Sequence, residues 1–326
     1  MKTVAVIGLG NIARRHRKNL KFIYPNAKVI ALSASGRIAD EEIEFADLQL
    51  PNIEMLIDNK PELVIVASPS PYHEAHARAL IQHNIPVLIE KPVASEPDSA
   101  NRISALSQQH SGQVMVGYCL RYLSSAIEVK RLLSDDLIGD IYNCQASVGQ
   151  YLPDWRPNKH YTHSVSANKS LGGGALLELS HELDYLHWLL GPLALNYAQL
   201  RSTKELALDV EEIADLVLTN AKGCVCTLHM DFIQKQAQRE CTFIGSKGRL
   251  HWDLLANTIT HHNHEGTQQL YSEPLWDKNQ MYINMVTDFI SNIQHGECTT
   301  ASLEDACQTV NLIAQIKQQA TWGVTQ

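Results

Sequence analysis

The chain has 326 residues, 44% of them apolar, and 35 acidic against 27 basic side chains give it a net charge of −8. That length exceeds one ordinary core, so two domains are expected. A negative balance without a long basic run argues against nucleic acid as a partner, and no apolar run approaches the ~18 residues of a membrane span.

The first third alternates strand and helix. Strands are predicted over residues 2–8, 28–33, 63–67, 87–90 and 114–118, with helices over 12–21, 53–59, 73–83 and 97–110. The strands are near-continuous apolar runs, as expected when helices cover both faces of a parallel sheet. Gly8-x-Gly10-x-x-Ala13 falls between the first strand and the first helix, the context a dinucleotide fingerprint requires. Gly8 permits the tight turn, Gly10 lets a pyrophosphate approach the backbone, and Ala13 lets the helix pack closely. The amino end of that helix, with Asn11 and Ile12, then faces the phosphates. Ser68-Pro69-Ser70-Pro71 follows the third strand at its carboxyl end, where open α/β sheets bind ligands.

Beyond residue 120 the rhythm changes. A helix is predicted over 124–134, a strand over 141–148, an irregular polar and aromatic segment over 151–171, and one long helix over 174–190 that stops at Gly191-Pro192. Strand-like runs with turn signals at 220–223 and 245–248 fill residues 195–272, and helices over 277–295 and 303–319 close the chain. The fold class expected is α/β plus α+β: a doubly wound parallel sheet over 1–120, then a domain over 121–326 with a large, mostly antiparallel sheet and helices on one face. The seven cysteines are scattered without a CxxC pair. With no charged-then-apolar leader at the amino terminus, reduced thiols in a cytoplasm are expected. Cys224 and Cys226, two apart on a strand, read as core.

Three constellations could carry chemistry. Glu90-Lys91-Pro92 ends the fourth strand, where an ammonium could hydrogen-bond a substrate hydroxyl. Pro92 biases Lys91 toward an extended backbone. In residues 172–191 a glycine triplet precedes a helix on which Glu178, His181 and Glu182 share a face and Asp184 lies one turn beyond His181. An imidazole with a carboxylate partner is an acid/base unit. The segment with Trp155, Arg156, Lys159, His160, Tyr161 and His163 offers aromatic and cationic groups to a polyhydroxylated or anionic ligand, and Arg121 adds a cation beyond the fifth strand. His261, His262 and His264 look metal-like but read as the solvated edge of a hairpin, so no metal is expected.

In order, GLGNIA (8–13), the stretch 67–94 ending in EKP, GYCLRY (117–122), GGGALLELSHELDYLHWLLG (172–191) and SLEDACQTVNLIAQI (302–316) resemble the Gfo/Idh/MocA oxidoreductases. The resemblance implies a Rossmann domain, a second domain whose sheet joins homodimers or homotetramers, and a last helix, 303–319, that packs back on the first domain. It also implies hydride exchange between a nicotinamide and a carbinol of a sugar, sugar nucleotide or cyclitol. Lys91 then positions substrate, and His181 with Asp184 matches the acid/base pair. Relatives often carry an acid four residues before the histidine; here Leu177 stands there and Glu178 follows, so the partner of His181 is Asp184, Glu178 or neither.

Cofactor contacts are assigned to Gly8, Gly10, Asn11, Ile12, Ser33, Ser35, Arg37, Ser68, Pro69, His73, Glu90 and Lys91. Substrate contacts are assigned to Arg121, Trp155, Arg156, Tyr161 and Glu178. An NAD site places an acid near the end of the second strand. Here Ser33, Ser35 and Arg37 stand there, with no acid until Asp40, which favours a 2′-phosphate and hence NADP over NAD. The Trp155-Arg156-Pro157 segment is similar to a subset of the family linked to bacterial surface-sugar synthesis. The alternatives are a relative that recycles a tightly held NAD during hydrolysis or elimination, and a non-catalytic dinucleotide-binding regulator.

Overall fold

In the computed structural model, residues 1–156, 160–296 and 299–325 are described. The chain divides into two compact units, Met1–Cys119 with Met281–Val310, and Leu120–Gln280 with Asn311–Gln326.

The first unit alternates β1 (Thr3–Ile7), α1 (Asn11–Ile23), β2 (Lys28–Leu32), β3 (Leu48–Leu50), α2 (Ile53–Asp58), β4 (Val64–Val66), α3 (His73–Gln82), β5 (Val87–Ile89), α4 (Pro97–Gln109) and β6 (Val114–Val116). The six strands form one sheet in the order β3-β2-β1-β4-β5-β6, every pair parallel. Val4–Ile7 and Val64–Val66 are fully buried, which is why these strands are apolar at every position. Strand order reverses between β1 and β4, so a crevice lies beyond their carboxyl ends, where such sheets bind ligands. No strand is expected at β3 from the sequence. Leu-Gln-Leu is too short for a pattern and becomes a strand only because β2 supplies the ladder, Ile30 opposite Leu48.

The second unit holds α5 (Ser124–Ser134), β7 (Ile141–Gly149), α6 (Ala175–Glu178), α7 (His181–Leu190), β8 (Leu193–Thr203), β9 (Ile213–Asn220), β10 (Val225–Asp231), β11 (Gln238–Gly245), β12 (Gly248–Asp253), β13 (Thr258–Asn263) and β14 (Gly266–Ser272). After it the chain forms α8 (Gln280–His295), which from Met281 belongs to the first unit, then α9 (Leu303–Gln319), which passes from the first unit to the second after Val310, and β15 (Thr321–Thr325) of the second unit. Nine strands order as β14-β13-β12-β11-β7-β10-β9-β8-β15, antiparallel except β7 with β10 and β8 with β15. Burial alternates along β9 and β13, one face in the core and the other open. On the buried face α5 packs on β13 and β14, α6 packs on β9 and β10, and Tyr185 of α7 meets Trp252 of β12 edge-on.

Four expectations need correction. The single helix expected over 174–190 is two, because the Glu182 N–H turns to the Leu179 carbonyl three residues back and interrupts the four-residue ladder. The helix expected from residue 277 begins at Gln280. The irregular stretch 151–171 contains three short 3₁₀ turns. His261 is buried, its side chain on the core side of β13, whereas His262 on the other side hydrogen-bonds Thr267 Oγ1 at 2.9 Å. The six cysteines among the described residues form no disulfide and are buried. No helix among those residues is long and apolar enough to cross a membrane.

Candidate functional site

Gly8 holds φ +124°, and a Cβ there would lie 2.4 Å from the Ala67 carbonyl oxygen and 3.3 Å from the Ala13 Cβ, so the turn admits only glycine. Gly10 differs. No described atom lies within 4 Å of the Cβ position it would carry. Gly10 caps α1 without a side-chain hydrogen bond among the described residues, and no acid stands in the first turn. The first amides of α1 are therefore available to an anion, with the positive dipole end behind them. Arg17, buried, fixes the turn by donating to the Gly8 carbonyl at 3.1 Å and the Glu44 carbonyl at 3.0 Å. The sequence reading missed Arg17, since nothing local marks a helix arginine as a backbone clamp.

Beyond β2 the Ser33 and Ser35 hydroxyls are 3.3 Å apart, and Gly36 N–H closes a turn on the Ser33 carbonyl. Arg37 is exposed and makes no ion pair among the described residues. Its backbone is held by Gln49 of β3, which donates to the Arg37 carbonyl at 3.1 Å and accepts from the Ala39 N–H at 3.1 Å. Gln49 is a second residue the sequence could not mark.

At the ends of β4 and β5 the expected contacts turn out to brace one another. His73 is buried with Nε2 2.7 Å from the Ser68 carbonyl and Nδ1 3.0 Å from the Pro92 carbonyl, so it ties two loops together. Burial pulls its pKa below the usual imidazole value. Burial also pulls His76 down to about 4, with His73 adding to it, and its Nδ1 lies 3.1 Å from the Ser68 hydroxyl. Pro69 stays partly exposed. Glu90 is buried, its carboxylate 2.5 Å from His16 Nε2 and accepting the Lys91 N–H at 3.3 Å. Gly117 makes room for it, since a Cβ there would meet the Glu90 carboxyl carbon at 3.1 Å. The Lys91–Pro92 peptide is cis, and Lys91 is half-buried.

In the second unit the glycine triplet faces the protein itself. A Cβ on Gly173 would strike the Val165 carbonyl oxygen at 2.5 Å, and one on Gly174 (φ +108°) would strike Glu211 Oε1 at 2.3 Å. Glu211 accepts the Leu176 N–H at 3.1 Å, and burial raises its pKa. His181 opens α7 half-buried, and each of the two acids after it holds an arginine. Glu182 takes both ends of the Arg239 fork at 2.6 and 2.8 Å. Asp184, fully buried, takes Arg121 Nε at 2.9 Å and Nη2 at 2.7 Å. Arg121, expected as a substrate cation, is itself 1% exposed. A guanidinium so enclosed serves Asp184 rather than solvent-borne ligands.

Three of the residues assigned to substrate do converge. Trp155, Arg156 and Tyr161 line a small hollow with Leu152, Ser164 and Ser166. Ser166 donates to Glu178 Oε2 at 3.0 Å, which places Glu178 behind the pocket. Ser164 and Ser166 escaped the sequence reading because isolated serines in a loop carry no pattern. Pro157 and Lys159 lie outside the described residues. Among the described residues no group of three or more His, Cys, Asp or Glu is placed to hold a metal.

Comparison with known proteins agrees with this architecture. A model described as an oxidoreductase family with an NAD-binding Rossmann fold matches residues 2–118, and one for the GFO/IDH/MocA C-terminal domain matches 126–251. Inositol 2-dehydrogenase 1 of Saccharopolyspora erythraea is 26% identical over 272 residues, 78% of this chain and 75% of its own. Levoglucosan dehydrogenase, solved with NADH and levoglucosan, superposes with a TM-score of 0.84 at 18% identity, covering 98% of this chain and 96% of that one. A 3-ketoreductase from Actinomadura kijaniata, solved with TDP-benzene and NADP, superposes with a TM-score of 0.82 at 20% identity, covering 100% and 99%. The class is thus an oxidoreductase built on a nicotinamide-dinucleotide domain. The chain belongs to the Gfo/Idh/MocA family.

Proposed function

We propose that this protein is an NAD(P)-dependent dehydrogenase or reductase acting on a carbinol or carbonyl carbon of a sugar, sugar nucleotide or cyclitol. The observation that carries the reading is the open, uncapped amino end of α1 behind Gly10, in a chain whose family carries a dinucleotide there. The bound nicotinamide supplies the hydride acceptor or donor. Lys91 hydrogen-bonds the substrate oxygen and lowers the pKa of the hydroxyl. His181 takes the proton that oxidation releases and returns it on reduction. Asp184, held by Arg121, is set as a fixed negative charge one helical turn beyond His181. Glu178 acts through Ser166. His73, Glu90, Ser68 and Pro69 shape the loops around Lys91.

The cofactor preference follows from the loop after β2. Ser33, Ser35 and Arg37 offer hydroxyls and a cation to a 2′-phosphate, and no carboxylate pairs with Arg37 among the described residues. NADP is the favoured cofactor on this argument. Arg37→Ala is expected to cut the ratio of kcat/KM for NADPH over NADH about tenfold. We place the protein in a reducing cytoplasm, which free buried thiols suit, and in surface-sugar synthesis, on the likeness of its Trp155 segment. The open face of the nine-stranded sheet is the surface assigned to a homodimer or homotetramer.

The test is a screen of sugars, sugar nucleotides and cyclitols for a change in nicotinamide absorbance with each cofactor. Lys91→Met should then lose turnover by roughly 100-fold or more while still binding cofactor. Near-normal turnover of that variant removes Lys91 from the chemistry. Cofactor that co-purifies and is never consumed points to the recycling alternative, and binding without turnover across the screen points to a regulator.

A further inference from the structure

We propose that the saccharide carries an acidic group, a carboxylate or phosphate, recognised by Arg156 beside the small hollow it lines with Trp155 and Tyr161 within the second unit. This rests on the oxidoreductase reading above and narrows its substrate class.

Trp155 donates its Nε1–H to the Gln150 carbonyl at 3.2 Å and meets Phe232 edge-on, with ring centroids 5.4 Å apart. Tyr161 donates its hydroxyl to the Leu206 carbonyl at 3.3 Å. With their polar tips engaged, these two present ring surface, which suits the C–H face of a sugar. The two serines are oppositely biased. Ser166, fully buried, gives its hydrogen to Glu178 and so holds that carboxylate behind the hollow. Ser164 Oγ accepts the Ala167 N–H at 3.3 Å and keeps a hydrogen to donate.

Arg156 decides the charge. The other three arginines of low exposure in this unit each hold a carboxylate: Arg121 with Asp184, Arg201 with Asp215, Arg239 with Glu182. Arg156 is half-buried, and no carboxylate among the described residues pairs with it. A guanidinium that has lost part of its water presents a planar fork matched to two oxygens of one anion. Glu178 stands three residues before His181, so the group backing Ser166 is near in sequence to the proposed acid/base.

The test compares kcat/KM for glucose, glucuronate, glucose 6-phosphate and myo-inositol with cofactor-saturated enzyme, for wild type, Arg156→Gln and Arg156→Lys. Wild type should favour glucuronate or glucose 6-phosphate over glucose by about 10- to 100-fold, and which acid wins separates carboxylate from phosphate. Added salt should shrink that preference. Arg156→Gln should lose most of it and Arg156→Lys should keep part. A wild type that prefers glucose or inositol, or an Arg156→Gln variant that keeps the acid preference, overturns the proposal and leaves the oxidoreductase reading intact. If no compound is turned over or bound here or in the broader screen, both readings fall together.

Discussion

At the scale of single residues, two glycines of one motif do different work, and paired substitutions separate them. Gly8 is enclosed by Ala67 and Ala13 and holds a left-handed backbone. Gly8→Ala should therefore destabilise the fold by about 3 kcal/mol or more, read by denaturant unfolding. Gly10 faces open space. Gly10→Ala should change stability by no more than about 1 kcal/mol, since only an N-cap preference is lost. Its cost should appear instead in cofactor affinity, measured by quenching of nicotinamide fluorescence, because the new methyl occupies the approach to the helix amides. Equal loss of stability in the two variants would contradict this division.

Among elements, two contacts fix functional segments that sequence reading had treated as independent. The first is β3, a three-residue strand whose Gln49 holds the backbone of Arg37 and Ala39. Gln49→Leu should raise KM for NADPH more than for NADH with kcat little changed, because only the loop proposed to meet a 2′-phosphate is loosened. Equal KM values in variant and wild type would show that the loop holds itself. The second is the Arg121–Asp184 pair, which ties the turn before α5 to α7. Arg121→Met takes the guanidinium fork away from the buried Asp184 carboxylate and should destabilise by about 3–5 kcal/mol. Removing both partners with Asp184→Leu should recover part of that loss, as seen in the unfolding midpoint.

Over the whole molecule, neither unit is a continuous piece of chain. The first takes residues Met281–Val310, and Cys307 of α9 reaches the Ala100 carbonyl of α4. The second carries a charged network across β8, β9 and β10. His229 Nε2 meets Asp231 at 2.8 Å, its Nδ1 meets Asp215 at 2.6 Å, and Arg201 also pairs with Asp215. The bond to Asp231, and then the one to Asp215, raise the His229 pKa against the cost of burial. A raised folded pKa means the stabilisation is complete below the unfolded value of about 6.5 and is lost as pH rises through the folded value. Unfolding free energy should therefore fall above that pH by an amount on the order of 1 kcal/mol, since the ring is 37% exposed and solvent screens it. His229→Gln should flatten that slope in urea unfolding at several pH values.

Local rules were enough for the alternating first third, the Gly8–Ala13 turn, the Glu90-Lys91-Pro92 edge and the long run of strands, because strand periodicity, turn chemistry and the fingerprint spacing act over a few residues. They also placed Trp155, Arg156 and Tyr161 together, since these are close in sequence. What they could not reach were pairings between distant residues. That Arg121 belongs to Asp184, that Gln49 holds the Arg37 loop, that the glycine triplet makes room for Glu211 and the Val165 carbonyl, and that His73 braces two loops were decided only in the folded chain. Burial and partner choice depend on which surfaces meet across a hundred residues or fewer of intervening chain, and no periodicity within a segment encodes that.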